Sequence, residues 1–132
     1  AFFNKVQHLL TPDGLAALQI ITISDELFDG YRRRPDFIQK YIFPGGMLPS
    51  DERLRAETAK AGLAWRSCVG FANDYARTLS EWGERFEQAW PEIEALGFDE
   101  KFRRLWRYYL GYCEAGFRTG RTDVVHLTLA KS

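Results

Sequence analysis

The chain carries 132 residues, 45% of them hydrophobic, with 18 basic and 18 acidic side chains and no formal net charge. Its length allows one domain with a real hydrophobic core, and the charge balance argues against a dedicated nucleic-acid binder, which carries a basic excess. Cys68, Cys113, His8 and His126 show no metal-ligand spacing, and no apolar run is long enough to cross a bilayer, so the composition points to a metal-free cytoplasmic protein with free thiols.

Phe2, Phe3, Val6, Leu9 and Leu10 recur at helical spacing directly after Ala1, as in a segment of a longer chain. Thr11-Pro12-Asp13-Gly14 fits a type I turn, with proline second and glycine fourth. The run LAALQIITI, Leu15 to Ile23, predicts a strand covered on both faces, as in a parallel sheet. Gln19 is its one large polar residue, and a buried amide needs partners, either backbone or a ligand. Residues 24–40 are polar and basic and read as a short helix and a loop. Ser50 is a good N-cap for a helix that begins with Asp51 and Glu52 and stops near Ala61-Gly62. Leu63 to Phe71 reads as a second strand. Asn73 is a candidate cap for a helix with the apolar stripe Tyr75, Leu79, Trp82, Phe86 and Ala89, which Pro91 kinks or restarts and Gly97 ends. Asp99 caps a further helix with the stripe Phe102, Leu105, Tyr109, Cys113 and Gly116, and the two long helices should pair as a hairpin. Val124 to Leu129 alternates weakly, as a last strand should.

Elements in this order indicate an α/β sheet. One loop stands out. Pro44-Gly45-Gly46 forces a turn, yet its flanks are Tyr41, Ile42, Phe43, Met47 and Leu48. A turn this apolar must bury its surface in the protein or against a ligand. Two arginine clusters, Arg32 to Arg34 and Arg103, Arg104 and Arg107, are either solvated faces or sites for lipid phosphates.

The stretch YIFPGGMLPS resembles the YIFPGG loop of the cyclopropane-fatty-acyl-phospholipid synthases, S-adenosylmethionine-dependent methyltransferases that act on lipid double bonds. LLTPDG resembles that family's LLxPGG turn before its fifth strand, and LGFDEKFRRLWRYYLGYCEAGFRTG and TDVVHLTL resemble its last helix and strand. The resemblance covers essentially the whole chain. It implies the C-terminal part of a Rossmann-like methyltransferase fold, with three main strands near residues 15–23, 63–71 and 122–130 and a long helical hairpin insertion. The last strand is expected between the other two, antiparallel to both. The family's glycine-rich cofactor loop lies upstream of everything that matches here. Residues 1–132 therefore read as the C-terminal portion of a catalytic domain, without cofactor-binding residues and without tight hold on S-adenosylmethionine or bicarbonate.

The resemblance also implies a chemistry. In that family an acyl-chain alkene attacks the sulfonium methyl, and a bound bicarbonate removes a proton as the ring closes, which needs donors held in a dry pocket. The family's anion-binding positions match Gln19, Ile21 (through its backbone) and Tyr109, with Gln19 standing where the family often has histidine. A glutamine donates a neutral hydrogen bond but carries no charge, so methyl or methylene transfer without ring closure stays open. Tyr41, Phe43, Pro44, Gly45 and Gly46 would wall the acyl-chain tunnel near the C-terminal end of the first strand. The implied partners are phospholipid acyl chains and the inner membrane surface, and the chain itself should self-associate or pair with the missing half. Two alternatives remain: a non-catalytic dimerisation or membrane-contact module that retains the fold, and a methyltransferase for another hydrophobic acceptor.

Overall fold

A tight reversal sets the first strand. In the computed structural model, which describes residues 1–132, helix α1 (Phe2–Leu9) stops before Pro12, and the Gly14 amide donates to the Thr11 carbonyl at 3.0 Å. A Cβ on Gly14 would sit 2.8 Å from the Thr11 hydroxyl, so only glycine lets the chain turn this sharply. Strand β1 (Leu15–Ile23) follows, then helices α2 (Asp25–Arg33) and α3 (Phe37–Tyr41). Helix α4 (Asp51–Lys60) starts where its cap predicts, with the Ser50 hydroxyl accepting from the Arg53 amide at 3.4 Å. Strand β2 (Leu63–Gly70), helices α5 (Ala72–Gln88), α6 (Trp90–Ala95) and α7 (Glu100–Arg118), and strand β3 (Thr122–Lys131) complete the chain. Asp99 caps α7 as expected, accepting from the Phe102 amide at 2.8 Å.

The sheet order is β1-β3-β2, and β3 runs antiparallel to both neighbours, as anticipated. No parallel ladder forms, because β3 separates the two strands that run the same way. One face carries the buried trio Leu63, Leu127 and Leu129, onto which Phe3, Val6 and Leu10 of the N-terminal segment pack with Leu18 and Ile20 of β1. The other face is covered only where the α5/α7 hairpin lands, around Ala76, Leu79, Leu110, Phe117 and Val124. The expectation that β1 is covered on both faces is thus met on one: Leu15 and Ile21 stay 62% and 46% exposed. The hairpin anchors on β3 and meets β1 through Tyr75 at Gln19, leaving Leu15 and Ile21 open.

Two further expectations are corrected. Asn73 is not a cap. The Phe71 amide is already tied to β3, donating to the Val124 carbonyl at 2.9 Å and to Asp123 Oδ1 at 3.1 Å, so α5 begins at Ala72 with Phe71 in the cap position. Trp82, assigned to the apolar stripe, is half exposed, and Ala76 and Leu79 carry the contact instead.

Within the hairpin, Arg103 and Arg107 of α7 both reach the Glu87 carboxylate of α5. The hydrogen bond from Arg103 holds that carboxyl below its usual range. Cys113 is half-buried beside the hairpin core, and burial pushes its thiol up to about 11. Above its ordinary range near 9 the unfolded thiol has lost its proton while the folded one keeps it. Stability should therefore be full below that range and fall as pH rises through about 11. Burial raises Tyr109 and Tyr112 as well, which acts in the same direction. Urea titrations across this interval should show the fall, and Cys113→Ala should make it shallower; a flat profile in the parent chain would show that burial does not hold the thiol neutral.

On the other side of the sheet, Thr58 is fully buried and its hydroxyl donates to the Leu54 carbonyl at 2.8 Å while accepting from Trp65 Nε1 at 2.8 Å. Thr58→Val keeps the shape and removes the acceptor, which should cost about 1–3 kcal/mol in denaturant unfolding with the slope unchanged. A loss well under that range would mean that the indole finds another partner.

Candidate active site

The apolar loop is held by polar contacts at its roots and left bare at its tip. Asp36 caps α3, accepting from the Gln39 amide at 2.9 Å, and Gln39 returns the bond to the Asp36 amide. Gln39 Nε2 also donates to the Gly46 carbonyl at 2.8 Å, closing the turn in which Gly45 takes φ +80. The buried Tyr31 hydroxyl accepts from the Leu48 amide at 3.1 Å, and the Ile23 amide donates to the Pro49 carbonyl at 3.0 Å. That last bond fixes the end of the loop at the C-terminal end of β1, the position expected for a ligand-binding loop in an open α/β sheet. Burial raises the Tyr31 phenol above its ordinary range, so it stays neutral.

With its backbone fixed, the loop still exposes Tyr41 (65%), Phe43 (59%) and Met47 (57%), while Pro44, Gly45 and Gly46 are exposed as well. A loop packed for stability alone would have buried these rings. Phe43 instead meets α7, with its ring centroid 6.5 Å from that of Tyr109 in an edge-to-face arrangement. Phe37 stands edge-on to Tyr108 at 4.6 Å, and Tyr112 donates to Asp36 at 3.0 Å. The loop and the last helix thus form one aromatic wall.

Tyr109 lies on the inner side of that wall, half-buried, with Trp106 at 5.0 Å. Burial pushes its phenol up, with the neighbouring Cys113 adding to the effect. It is a proton-bearing donor, not a phenolate. No hydrogen bond joins it to Gln19. Gln19 is held by two residues that sequence reasoning left unassigned: its Nε2 donates to the Tyr75 hydroxyl at 2.9 Å, and its Oε1 lies 2.9 Å from His126 Nε2. Tyr75 reads as one ring of a core stripe and His126 as an isolated histidine, and only the β1–β3 register, which sets Gln19 opposite His126, brings them together. Ile21 lies two residues further along the same open face of β1.

The residues present do not form a cradle for a nucleotide-like cofactor. Of the two turns that lead from a strand into a helix, β1 to α2 contains no glycine. The other, at Gly70, is closed by the chain itself, since a Cβ there would collide with the Asp123 carboxylate. No group of His, Cys, Asp and Glu side chains is arranged to hold a metal, and no helix is long and apolar enough to cross a membrane.

Known proteins resemble this chain in sequence and fold. The family model for mycolic acid cyclopropane synthetase matches residues 1–127. Tuberculostearic acid methyltransferase UfaA1 of Mycobacterium tuberculosis is 41% identical over 131 residues, 98% of this chain and 31% of that protein. Cyclopropane-fatty-acyl-phospholipid synthase of Escherichia coli K12 is 38% identical over 117 residues, 89% of this chain and 29% of that protein. The solved cyclopropane synthase MmaA2 from Mycobacterium tuberculosis superposes with a TM-score of 0.87 at 32% identity, over 98% of this chain and 48% of that one. Mycolic acid cyclopropane synthase CmaA1, solved in complex with SAH and CTAB, does so with the same TM-score at 29% identity and the same coverage. The chain spans about a third of the length of these curated relatives and about half of the solved structures. A hairpin-bearing three-stranded sheet with its last strand antiparallel in the middle, the YIFPGG loop and a match over nearly every residue lead to one conclusion: the chain belongs to the mycolic acid cyclopropane synthetase family and corresponds to the C-terminal part of its methyltransferase fold.

Proposed function

We propose that this chain is the acyl-chain-binding C-terminal portion of a catalytic domain that adds a methylene across a double bond of an unsaturated phospholipid acyl chain, with S-adenosylmethionine as donor. The observation that carries this reading is the exposed aromatic loop at the end of β1, braced by polar bonds at its roots and turned so that Phe43 meets Tyr109. Apolar rings held in the open by a rigid backbone suit a long apolar ligand better than a core. The cofactor would be bound by an upstream half, which would also cover the open face of β1. Gln19, the Ile21 backbone and Tyr109 serve a small anion, bicarbonate, that accepts the proton. An open groove lined by Phe37, Phe102 and Tyr108 carries Lys101, Arg104 and Arg107 against one carboxylate, Asp99, and Arg107 also pairs with Glu87; the remaining cationic excess suits a membrane surface whose headgroups are anionic. On this reading the enzyme works in the cytoplasm, against the inner face of the membrane.

One observation favours a second reading. A relative that is 41% identical is named a methyltransferase and not a cyclopropane synthase, and Gln19 places a neutral amide where the resembling family often has an imidazole. Transfer that stops at a methyl or methylene branch fits both. Mass spectrometry of acyl chains from cells expressing the intact enzyme separates the two readings: ring-containing chains support the first, branched chains the second.

Two substitutions in the intact enzyme test the site. Phe43→Asp should raise the phospholipid KM or abolish turnover while leaving cofactor affinity nearly intact; unchanged lipid kinetics would remove the loop from the substrate path. Tyr109→Phe should keep the fold and lower turnover about ten- to a hundredfold, the worth of a hydrogen bond to a charged group, with partial rescue by added bicarbonate. Full activity in that variant would remove Tyr109 from the anion site.

A further inference from the structure

Gln19, Tyr75 and His126 form one hydrogen-bonded unit, with the Gln19 amide nitrogen towards Tyr75 and its oxygen towards His126. Gln19 spends one amide hydrogen on the Tyr75 hydroxyl, which leaves its Oε1 as the atom facing His126 Nε2. An amide oxygen only accepts, so this orientation pairs with the His126 tautomer that carries its proton on Nε2. Two donors are then unspent and adjacent: the second amide hydrogen of Gln19 and the Tyr75 O–H.

The backbone holds each member in place. Gln19 and His126 are register partners on neighbouring strands. Phe71 and Tyr75, four residues apart at the start of α5, reach the two strands separately: the Phe71 ring lies 4.4 Å from the His126 ring, and Tyr75 bonds to Gln19. The Tyr75 ring also packs 5.6 Å from Phe117 of α7. Three elements thus fix one amide. This matters because a glutamine can present either its oxygen or its amide hydrogens to a ligand, and only the hydrogens suit an anion. His126 holds the oxygen away.

We propose that Tyr75 is a second phenolic donor of the anion site and that His126 is the residue that positions Gln19 to serve it, an inference that rests on the reading of Gln19 as an anion-site residue. The ligand is a small planar oxyanion of the bicarbonate type, whose oxygens take one hydrogen bond from the Gln19 amide and one from the Tyr75 phenol.

The test measures turnover of the intact enzyme against added bicarbonate in buffer stripped of carbon dioxide. Tyr75→Phe keeps the ring packing and should raise the half-saturating bicarbonate about tenfold or more, as expected for a hydrogen bond to a charged group, with phospholipid KM unchanged. His126→Leu should raise it comparably, and His126→Gln, which still donates to the Gln19 oxygen, should bring it back to within about twofold of the parent enzyme. His126 is exposed, so this pair reports even if Tyr75→Phe fails to fold. If the parent enzyme responds to bicarbonate, an unchanged half-saturation in either Tyr75→Phe or His126→Leu overturns the role assigned to that residue and leaves the anion site standing. A parent enzyme indifferent to bicarbonate overturns the anion site, and this proposal with it.

Discussion

The placement of β3 between β1 and β2 is the constraint on which the other features depend. A strand inserted last and antiparallel must align two partners at once, and its register decides which side chains meet. Here it sets Gln19 against His126 and sets Val69 against the same histidine on the other side. Asp123 ties the start of α5 to that strand through the Phe71 amide. The hairpin's position over the sheet, the place of Tyr75 and the seating of α7 beside the loop all descend from this one insertion. A slip of a single residue would turn every β3 side chain to the opposite face. The fully buried Val124, Leu127 and Leu129 oppose that, because they pack on opposite faces: Val124 beneath the hairpin, the two leucines beneath α1.

Polar anchoring and apolar exposure divide the labour in the loop. Hydrogen bonds donated by Gln39 and Ile23, and one accepted by Tyr31, engage the backbone groups at its roots, so the rings at its tip need not contribute to holding it. A loop whose conformation rested on burying Phe43 would surrender that conformation when a ligand displaced the ring. In this loop the rings are free to meet something else without a change of backbone.

Most of the fold was legible in the sequence because it is written in local signals. The turn before β1, the Ser50 and Asp99 caps, the restart at Pro91 and the glycine after α4 each act within a few residues. The element order and the family likeness supplied the topology. What could not be read was non-local. Asn73 is a good capping residue overruled by Asp123, some fifty residues away. LAALQIITI looks buried on both faces because an apolar run says only that a face can be covered, not that these 132 residues cover it. The partners of Gln19 were hidden for the same reason: a tyrosine on a helix stripe and a lone histidine become neighbours of an amide only after two strands are paired. The loop's role as a surface feature was visible, since an apolar turn is conspicuous by composition alone.

Asp36 has a consequence for how the parts move. Its carboxylate closes the capping box of α3 and also accepts from Tyr112, in the middle of the last helix. A helix of five residues does not persist without its cap, and Gln39, the other half of that box, is also the residue that clasps the glycine turn. The order of the loop is thereby chained to the order of the hairpin. If α7 shifts away, the carboxylate loses one partner, the short helix loses part of its support and the clasp on Gly46 slackens in turn. Pressure on the loop would strain the same linkage from the opposite end, so through this single aspartate the loop and the hairpin answer to one another.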